Sequence, residues 1–204
     1  MKKIPTVYQR DFDGNPRYVT DEVNPECQWV LDGEGVPTRK YDGTCVLIRR
    51  DGMAIRAFAR REVKPGKSVP PNFVETGYDE VTEKRMGWEP IEQSSWRGAF
   101  EDAMEKYTEH LMWLSPPTTP EANMMPGTYE LCGPKVNRNP EDYQHHILVS
   151  HETAEVAAPD RLGLAPEHLD PKSFVRAAAA LGWEGIVWHH PDGRMAKLKA
   201  RDLP

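Results

Sequence analysis

The pattern of apolar and polar positions predicts two kinds of element in the middle of the chain. Residues 55–60 alternate Ile or Ala with Arg, Phe and Arg, and this period of two predicts a strand with one face on a core and the other carrying arginines. The β-branched run 44–50 precedes it across an Asp-Gly turn, which predicts a hairpin. From Trp96 to Trp113 apolar residues recur at helical spacing, which predicts an amphipathic helix whose aromatic stripe packs on the core.

Shorter signals predict the remaining elements. Asp170 followed by Pro171 is typical of a helix start, and this second helix is expected to end at Gly182. The segment 63–95 contains several prolines and glycines and is predicted to be a long loop. Many short strands with two helices predict a single α+β domain, residues 1–204, built on antiparallel sheet. Further strands are predicted at 27–31, 127–133, 146–150, 184–188 and 195–200.

Composition places the chain among globular proteins. It has 204 residues, of which 38% are hydrophobic and 28% charged, enough for a sizeable core. Three widely spaced cysteines argue against a disulfide framework and against a structural zinc site. No apolar run approaches the length of a membrane span, and the N-terminus lacks the apolar core of a signal peptide, so we expect a cytoplasmic protein with no membrane partner.

The charge is unevenly distributed along the chain. The net charge of −6 at first disfavours nucleic-acid binding, which needs cations for phosphates. Residues 39–67, however, contain nine Lys or Arg and three Asp or Glu, whereas residues 75–130 contain four and twelve. This asymmetry favours a basic groove on an otherwise acidic body.

The tetrad Lys40-Tyr41-Asp42-Gly43 is the first candidate for chemistry. A lysine two residues before an Asp-Gly turn can present its amine at the end of a strand, and it becomes a nucleophile when burial or neighbouring cations favour the neutral amine. The alternative is an exposed hairpin corner, because Asp-Gly is a common turn. The tetrad alone does not decide between these two interpretations.

Polar residues at the other end of the chain favour the first interpretation. Glu184 opens a strand that is otherwise apolar, so its carboxylate needs a cationic partner. Lys197 and Lys199 lie on one face of the last predicted strand while Leu198 packs on the other, and two lysines on one face suit an anion between them. An amine nucleophile, phosphate-binding cations and an isolated carboxylate are the groups that nucleotidyl transfer requires.

Two pairs of consecutive histidines are also candidates for metal ligands. They are His145-His146 and His189-His190. On a strand the two rings of such a pair face opposite sides and cannot bind one ion together. We expect these histidines to lie at the surface or beside the substrate.

The ordered set of motifs resembles the covalent nucleotidyltransferase superfamily, which comprises ATP-dependent RNA and DNA ligases and mRNA capping enzymes. Lys40–Gly43 matches its Lys-x-Asp-Gly motif, Glu184–Val187 its Glu-Gly-hydrophobic-Val motif, and Lys197–Lys199 its Lys-hydrophobic-Lys motif. The resemblance extends from about residue 25 to 200 and is greatest to small 5′–3′ RNA ligases. It implies an α+β nucleotidyltransferase core (an ATP-grasp-like ligase adenylation core) of antiparallel sheets with flanking helices.

The resemblance also implies a role for each matching residue. Lys40 would attack the α-phosphate of ATP and hold AMP, Lys197 and Lys199 would grip that phosphate, and Glu184 would help place Mg²⁺ or Mn²⁺ through water. The implied nucleotide contacts are Thr38 near adenine, Ile186 or Val187 packed on adenine, Glu130 on a ribose hydroxyl, Arg60 on the nucleotide and the incoming 5′-phosphate, and Asp42 and Gly43 within the motif.

The implied function is that of an ATP-dependent RNA ligase. It would join 5′-phosphate and 3′-hydroxyl RNA ends through a lysyl-AMP intermediate and an RNA-adenylate. The alternatives are a DNA nick ligase, a capping-type guanylyltransferase, or a non-catalytic nucleotide- or RNA-binding domain of the same fold. The chain ends five residues after Lys199, so we expect no C-terminal OB domain, and we expect the segments 39–67 and 63–95 to help hold RNA.

Overall fold

The computed structural model describes residues 3–52, 54–80, 82–114 and 124–204. Over these residues the chain is a sheet-rich α+β fold with few helices. The strands are β1 (Tyr8–Arg10), β2 (Val19–Val23), β3 (Val36–Lys40), β4 (Thr44–Asp51), β5 (Ala54–Val63), β6 (Val74–Asp79), β7 (Lys84–Pro90), β8 (Gly127–Cys132), β9 (Ile147–Ser150), β10 (Gly185–His189) and β11 (Met195–Lys199). The α-helices are α1 (Gln28–Leu31), α2 (Arg97–Leu114) and α3 (Pro171–Ala180), and short 3₁₀ helices lie at Pro25–Cys27, Ile91–Gln93, Pro166–His168 and Ala200–Asp202.

The described chain divides into two compact units, which we name by their place in the sequence. The middle unit is Asp42–Thr153, and the terminal unit combines Lys3–Tyr41 with Ala154–Pro204. Within the described residues, no helix combines the length and apolar character that crossing a bilayer requires.

The middle unit is built on a six-stranded antiparallel sheet with the strand order β6-β7-β5-β4-β8-β9. The predicted hairpin is confirmed as β4 and β5, which pair from Val46 with Ala59 to Asp51 with Ala54. Val46 and Ala59 face the core, where they join Phe100 and Ala103 of α2. The predicted amphipathic helix is therefore confirmed, and its packing is confirmed up to Tyr107; the side chains of Leu111 and Leu114, which belong to the predicted stripe, lie outside the described residues.

The prediction of a long loop at 63–95 is wrong, because that segment contains β6 and β7. Its glycines and prolines do not all mark turns. Gly87 lies within β7 and pairs with Arg61 of β5, and a Cβ at this position would collide with the carbonyl oxygen of Val74 and the ring of Phe73. A glycine that serves close packing inside a strand looks the same in sequence as a glycine that serves a turn.

The strand predicted at 27–31 is also wrong, because these residues are helical. The side chain of Asn24 accepts a hydrogen bond from the backbone N–H of Glu26, and Pro25 occupies the first position, which together start a 3₁₀ turn that continues into α1. Trp29 and Val30 are buried in the core of the terminal unit. Four apolar residues in a row fit a buried helical turn as well as a strand.

The terminal unit contains a three-stranded antiparallel sheet, in the order β11-β10-β3, and the two-stranded sheet β1-β2. One face of the larger sheet packs on α3, through buried side chains that include Ile186, Leu198 and Val175. The predicted start of α3 is confirmed, since the Asp170 carboxylate accepts hydrogen bonds from the backbone N–H groups of residues 172 and 173. Packing of one face leaves the opposite face of this sheet available for polar residues.

Candidate functional site

The open face of the terminal-unit sheet collects the lysines that the sequence motifs single out. Gly185 of β10 pairs with Lys40 of β3 on one side and with Lys199 of β11 on the other. Residues directly opposite each other in antiparallel strands share a face, so the two lysines flank Gly185 in one row. In the next row Val187 lies between Thr38 and Lys197.

Gly185 allows β11 to approach β10 closely in this row. A Cβ on Gly185 would collide with the carbonyl oxygen of Leu198 and would lie 2.7 Å from the Cα of Lys199. Only glycine therefore fits between β10 and β11 here. The consequence is a row with an amine at either end and no side chain between them.

The carboxylate of Glu184 bridges the two amines. Its Oε2 lies 2.5 Å from Nζ of Lys40, and its Oε1 lies 2.6 Å from Nζ of Lys199. The guanidinium of Arg201 lies 3.7 Å from the same Oε1. Burial by itself would raise the pKa of Glu184, but the charges of Lys40 and Lys199 outweigh it and hold the pKa below its usual value. Glu184 is therefore an ionised, bidentate partner of two lysines.

The amine of Lys197 on this face has a strongly lowered pKa. Burial, followed by the positive charges of Lys199 and Lys40, lowers its pKa to about 8. Glu184 acts in the opposite direction but does not compensate. A largely buried cation next to other cations is electrostatically unfavourable until an anion joins it. The arrangement is thus complementary to a phosphate group.

Three other predicted nucleotide contacts lie in the same sheet, but they differ in whether their side chains can reach a nucleotide on the lysine face. The hydroxyl of Thr38 donates to the carbonyl oxygen of Val187 at 3.1 Å and lies 3.0 Å from Nε2 of His189, so it is already engaged. Ile186 is fully buried in the core on the opposite face, which corrects its assignment as a nucleotide contact. Of the two alternatives for the adenine contact, Val187 alone shares the face of the lysines.

Arg60 and Glu130 lie in the middle unit, on the sheet face opposite its core. Val46 pairs with Ala59 on β5 and with Tyr129 on β8. One position earlier on β4, Cys45 pairs with Glu130 on the other face, and Arg60, which follows Ala59 on β5, points to that face as well. Glu130 accepts a hydrogen bond from the backbone N–H of Gly43 at 3.1 Å. A guanidinium nitrogen of Arg60 lies 3.7 Å from the sulfur of Met86.

Asp42 and Gly43 also belong to the middle unit, where they form a well-supported turn. The amide of Asn137 donates to the Asp42 carboxylate at 2.9 Å and to the carbonyl oxygen of Gly43 at 2.7 Å. Glu141 accepts from the backbone N–H of Asp42 at 2.9 Å. A Cβ on Gly43 would lie 2.9 Å from Cγ of Glu130, which explains the glycine. Sequence reasoning misses Asn137 and Glu141, because neither lies in a motif.

One group of side chains in the middle unit has the composition of a metal site. The ligand atoms of Cys45, Glu130 and His151 lie within 4.8 Å of one another, and Nε2 of His151 is 3.0 Å from Glu130. Thiol, carboxylate and imidazole together suit a borderline ion such as Zn²⁺. No sequence pattern indicates this group, because its members come from three separate segments that only the sheet brings together.

The consecutive histidines bind separate protein partners. The ring of His146 lies 2.6 Å from the Asp102 carboxylate and 2.7 Å from the carbonyl oxygen of Pro134. Hydrogen bonds from His146 hold the pKa of Asp102 below its usual value. In the terminal unit His190 lies 3.0 Å from the Glu34 carboxylate, whereas His189 faces Thr38. These contacts give the rings of His146, His189 and His190 a place in the local structure.

Comparisons with known proteins show similarity to RNA ligases. No family model matches the chain. A protein of Danio rerio named RNA ligase 1 is 23% identical over 266 aligned positions, which cover 100% of this chain and 81% of that protein. The RNA ligase 1 of Pongo abelii is 22% identical over 221 positions, which cover 82% of this chain and 67% of that protein. A solved structure of a mutant Naegleria gruberi RNA ligase R4a aligns at 12% identity with a TM-score of 0.36. The alignment covers 98% of the present chain and 61% of the Naegleria gruberi chain.

Proposed function

We propose that this chain, which is related to RNA ligases of the nucleotidyltransferase type, is an ATP-dependent RNA ligase that joins 5′-phosphate and 3′-hydroxyl RNA ends through a lysyl-AMP intermediate. We propose that its sheets form a nucleotidyltransferase core. One observation carries the proposal. Glu184 holds Lys40 and Lys199 at 2.5 and 2.6 Å on a sheet face that also carries Lys197, whose pKa is lowered to about 8.

In the first step Lys40 is the nucleophile. Its Nζ forms a bond with the α-phosphorus of ATP, the bond from that phosphorus to the bridging oxygen of the β-phosphate breaks, and pyrophosphate leaves. The amine releases its protons to solvent in the course of this step. Because the pKa of Glu184 is lowered, this carboxylate acts as an orienting partner for the amine rather than as a proton store.

Lys197 and Lys199 neutralise charge on the phosphate during the same step. Both amines project from the face that carries Lys40, in adjacent rows. Charge that develops on the phosphate oxygens in the transition state is stabilised most by cations that are already in place and partly removed from water. Lys197 fits this description, because a phosphate beside it would favour its protonated form.

The carboxylates near the site are already paired with lysine or arginine, so the site fits Mg²⁺ as an ion that arrives bound to ATP. Both oxygens of Glu184 are engaged by lysines, and Asp202, a carboxylate that follows β11, pairs with Arg10 at 2.9 Å. Mg²⁺ prefers an octahedral shell of waters and phosphate oxygens with one or two carboxylates. When bound, it supplies charge neutralisation at the phosphates, and Glu184 would contact it through water.

The next two steps transfer AMP and join the RNA. An oxygen of the RNA 5′-phosphate attacks the phosphorus of lysyl-AMP, and the bond to Nζ of Lys40 breaks. The 3′-hydroxyl of the second RNA end then attacks the 5′-phosphate, and AMP leaves. Arg60 and Glu130 stay predicted nucleotide contacts, on the ground of the motif resemblance alone.

The proposal is tested by weighing the intact chain after incubation with Mg²⁺ and either ATP or GTP. We expect a gain of one AMP from ATP, mapped by peptide fragmentation to Lys40. Lys40→Arg keeps a cation beside Glu184 and should fold, yet it should form no adduct. Lys64→Ala, which removes an exposed lysine, is the matched control and should react normally.

Four outcomes would contradict the proposal in different ways. No adduct with either nucleotide would favour a binding domain without turnover. A GMP adduct would favour a capping-type enzyme, and an adduct on Lys197 would displace Lys40 as the nucleophile. Sealing of nicked DNA in preference to cleaved single-stranded RNA would favour a DNA ligase.

A further inference from the structure

The terminal unit contains a cavity of about 760 Å³ beside the candidate site. The residues 5–7 run along β11, where the backbone N–H of Val7 donates to the carbonyl oxygen of Lys197 at 3.0 Å and the N–H of Lys197 donates to Pro5 at 2.9 Å. Lys197 and Lys199 line the cavity as well as the sheet face described above. The cavity is therefore continuous with the phosphate-binding lysines.

The lining of the cavity is strongly cationic. Among the described residues it includes six basic side chains and a single carboxylate, Asp202, which is paired with Arg10 at 2.9 Å. Arg10 also donates to the carbonyl oxygen of Arg17 at 2.6 Å, so it is held in place by the protein itself. The six basic residues are Lys3, Arg10, Arg17, Lys197, Lys199 and Arg201. Such an excess of positive charge favours a ligand that carries phosphates.

An exposed aromatic side chain lines the same cavity. Phe12 is 77% exposed, although burial of a phenylalanine is normally favourable by roughly 1.5–3 kcal/mol. Its loop is ordered by the Asp11 carboxylate, which accepts hydrogen bonds from the backbone N–H groups of Gly14 at 2.8 Å and Asn15 at 3.3 Å. The ring is thus presented to solvent by a structured turn, next to cations.

We propose that this cavity binds the terminal nucleotide of a single-stranded RNA, with its base stacked on Phe12 and its phosphate held by Arg17 and Arg201. An aromatic platform beside a cationic channel is the combination that binds single-stranded nucleic acid. Pyrophosphate, the other anion expected near Lys197 and Lys199, has no ring to stack. A volume of 760 Å³ also suits a nucleotide. The choice of RNA rests on the proposed function.

The test is the binding of a short, 5′-phosphorylated, fluorescent RNA to the full chain, followed by anisotropy. Loss of one stacked base weakens binding by about five- to hundredfold, so Phe12→Ala should lose affinity within that range and Phe12→Trp should retain it. The control is Leu181→Ala, which removes a 54% exposed apolar side chain that does not line the cavity and should leave affinity unchanged.

Arg17 tests the phosphate contact separately. Arg17→Ala should weaken RNA binding. It should also make the plot of log affinity against log salt concentration less steep, by the amount expected for the loss of about one phosphate contact. Arg97→Ala removes an exposed arginine of α2 in the middle unit and should change neither the affinity nor the slope. Equal affinities for wild type, Phe12→Ala and Arg17→Ala would overturn the proposal.

Lysyl-AMP formation separates this proposal from the proposed function. Phe12→Ala and Arg17→Ala should form lysyl-AMP at the wild-type rate and lose only RNA binding and sealing. If Arg17→Ala instead slows lysyl-AMP formation without weakening RNA binding, the cavity holds pyrophosphate and the proposal is wrong. If the wild-type chain forms no adduct at all, the proposed function fails, while the anisotropy measurement still decides whether the cavity binds RNA.

Discussion

The Glu184 carboxylate lies 2.5 Å from the Lys40 amine, although the two residues are 144 positions apart in the chain. The pairing of β3 with β10 brings them together, and β11 adds Lys199 on the other side. The two amines share one carboxylate, so the face carries net positive charge at the point where a phosphate is proposed to bind.

Glu184→Gln should destabilise the chain by about 3–5 kcal/mol, because it leaves two largely buried ammonium groups without their counter-charge. Urea unfolding of wild type and variant at pH 7 measures the difference in the free energy of unfolding. Glu101→Gln is the control, since it removes a carboxylate from an exposed pair with Arg97 and should cost less than about 1 kcal/mol. Equal effects of the two substitutions would show that Glu184 is not a buried partner.

Lys197→Met should stabilise the chain at pH 7. The folded-state pKa of Lys197 is about 8, below the ordinary lysine value of 10.5, so at pH 7 the amine is charged in both states and the folded state carries the full cost of burying it. This difference in pKa corresponds to about 3 kcal/mol. Between pH 8 and 10.5 the folded chain releases this proton first, and wild-type stability therefore rises with pH. The gain from the substitution should shrink over that range, as urea unfolding at several pH values would show.

ATP binding should be coupled to proton uptake above pH 8. A bound phosphate favours the charged form of Lys197, whose amine is largely neutral there in the free protein. Calorimetry at pH 8.5 in buffers of different ionisation enthalpy should show an uptake that is absent in Lys197→Met. Affinity should fall as pH rises past 8. If Lys197→Met takes up as many protons on ATP binding as the wild-type chain, the proton goes to a group other than Lys197 and the prediction is wrong.

Gly185→Ala should destabilise the chain and disturb the lysine row, because the added Cβ meets the backbone of β11. The expected cost is on the order of 1–3 kcal/mol, as for other overpacked sites. Gly98→Ala is the control, since this glycine of α2 has open space around it and alanine is favoured in helices. Thermal unfolding compares the two. Tolerance of Gly185→Ala would mean that β10 and β11 can separate at this position.

Local sequence patterns were enough to predict those strands and helices whose characteristic residues lie close together in the chain. The alternation in residues 55–60 predicts β5, the helical repeat predicts α2, and Asp170 with Pro171 predicts the start of α3. The placing of Lys197 and Lys199 on one face, with Leu198 on the other, follows from the strand period alone. The motifs single out Lys40 and Glu184 as residues that can carry chemistry, but not as a pair in contact.

Packing decided what the local patterns left ambiguous. In the segment 63–95, Gly87 packs closely against Phe73 inside a sheet rather than in a turn, and before residues 28–31 the Asn24 side chain caps a helical turn. Proline, glycine and short apolar runs have several uses, and only the neighbouring chain selects one of them.

The sequence by itself determined which residues can carry the chemistry, because strand period, turn residues and motif spacing are local properties. Only the tertiary structure decided how they are paired. The register of β3, β10 and β11 places Val187 rather than Ile186 on the lysine face, joins one carboxylate to two amines, and lowers the pKa of Lys197. Burial and charge act over a few ångströms, whereas Lys40 and Glu184 are 144 positions apart in the chain, so these effects exist only once the sheet has formed.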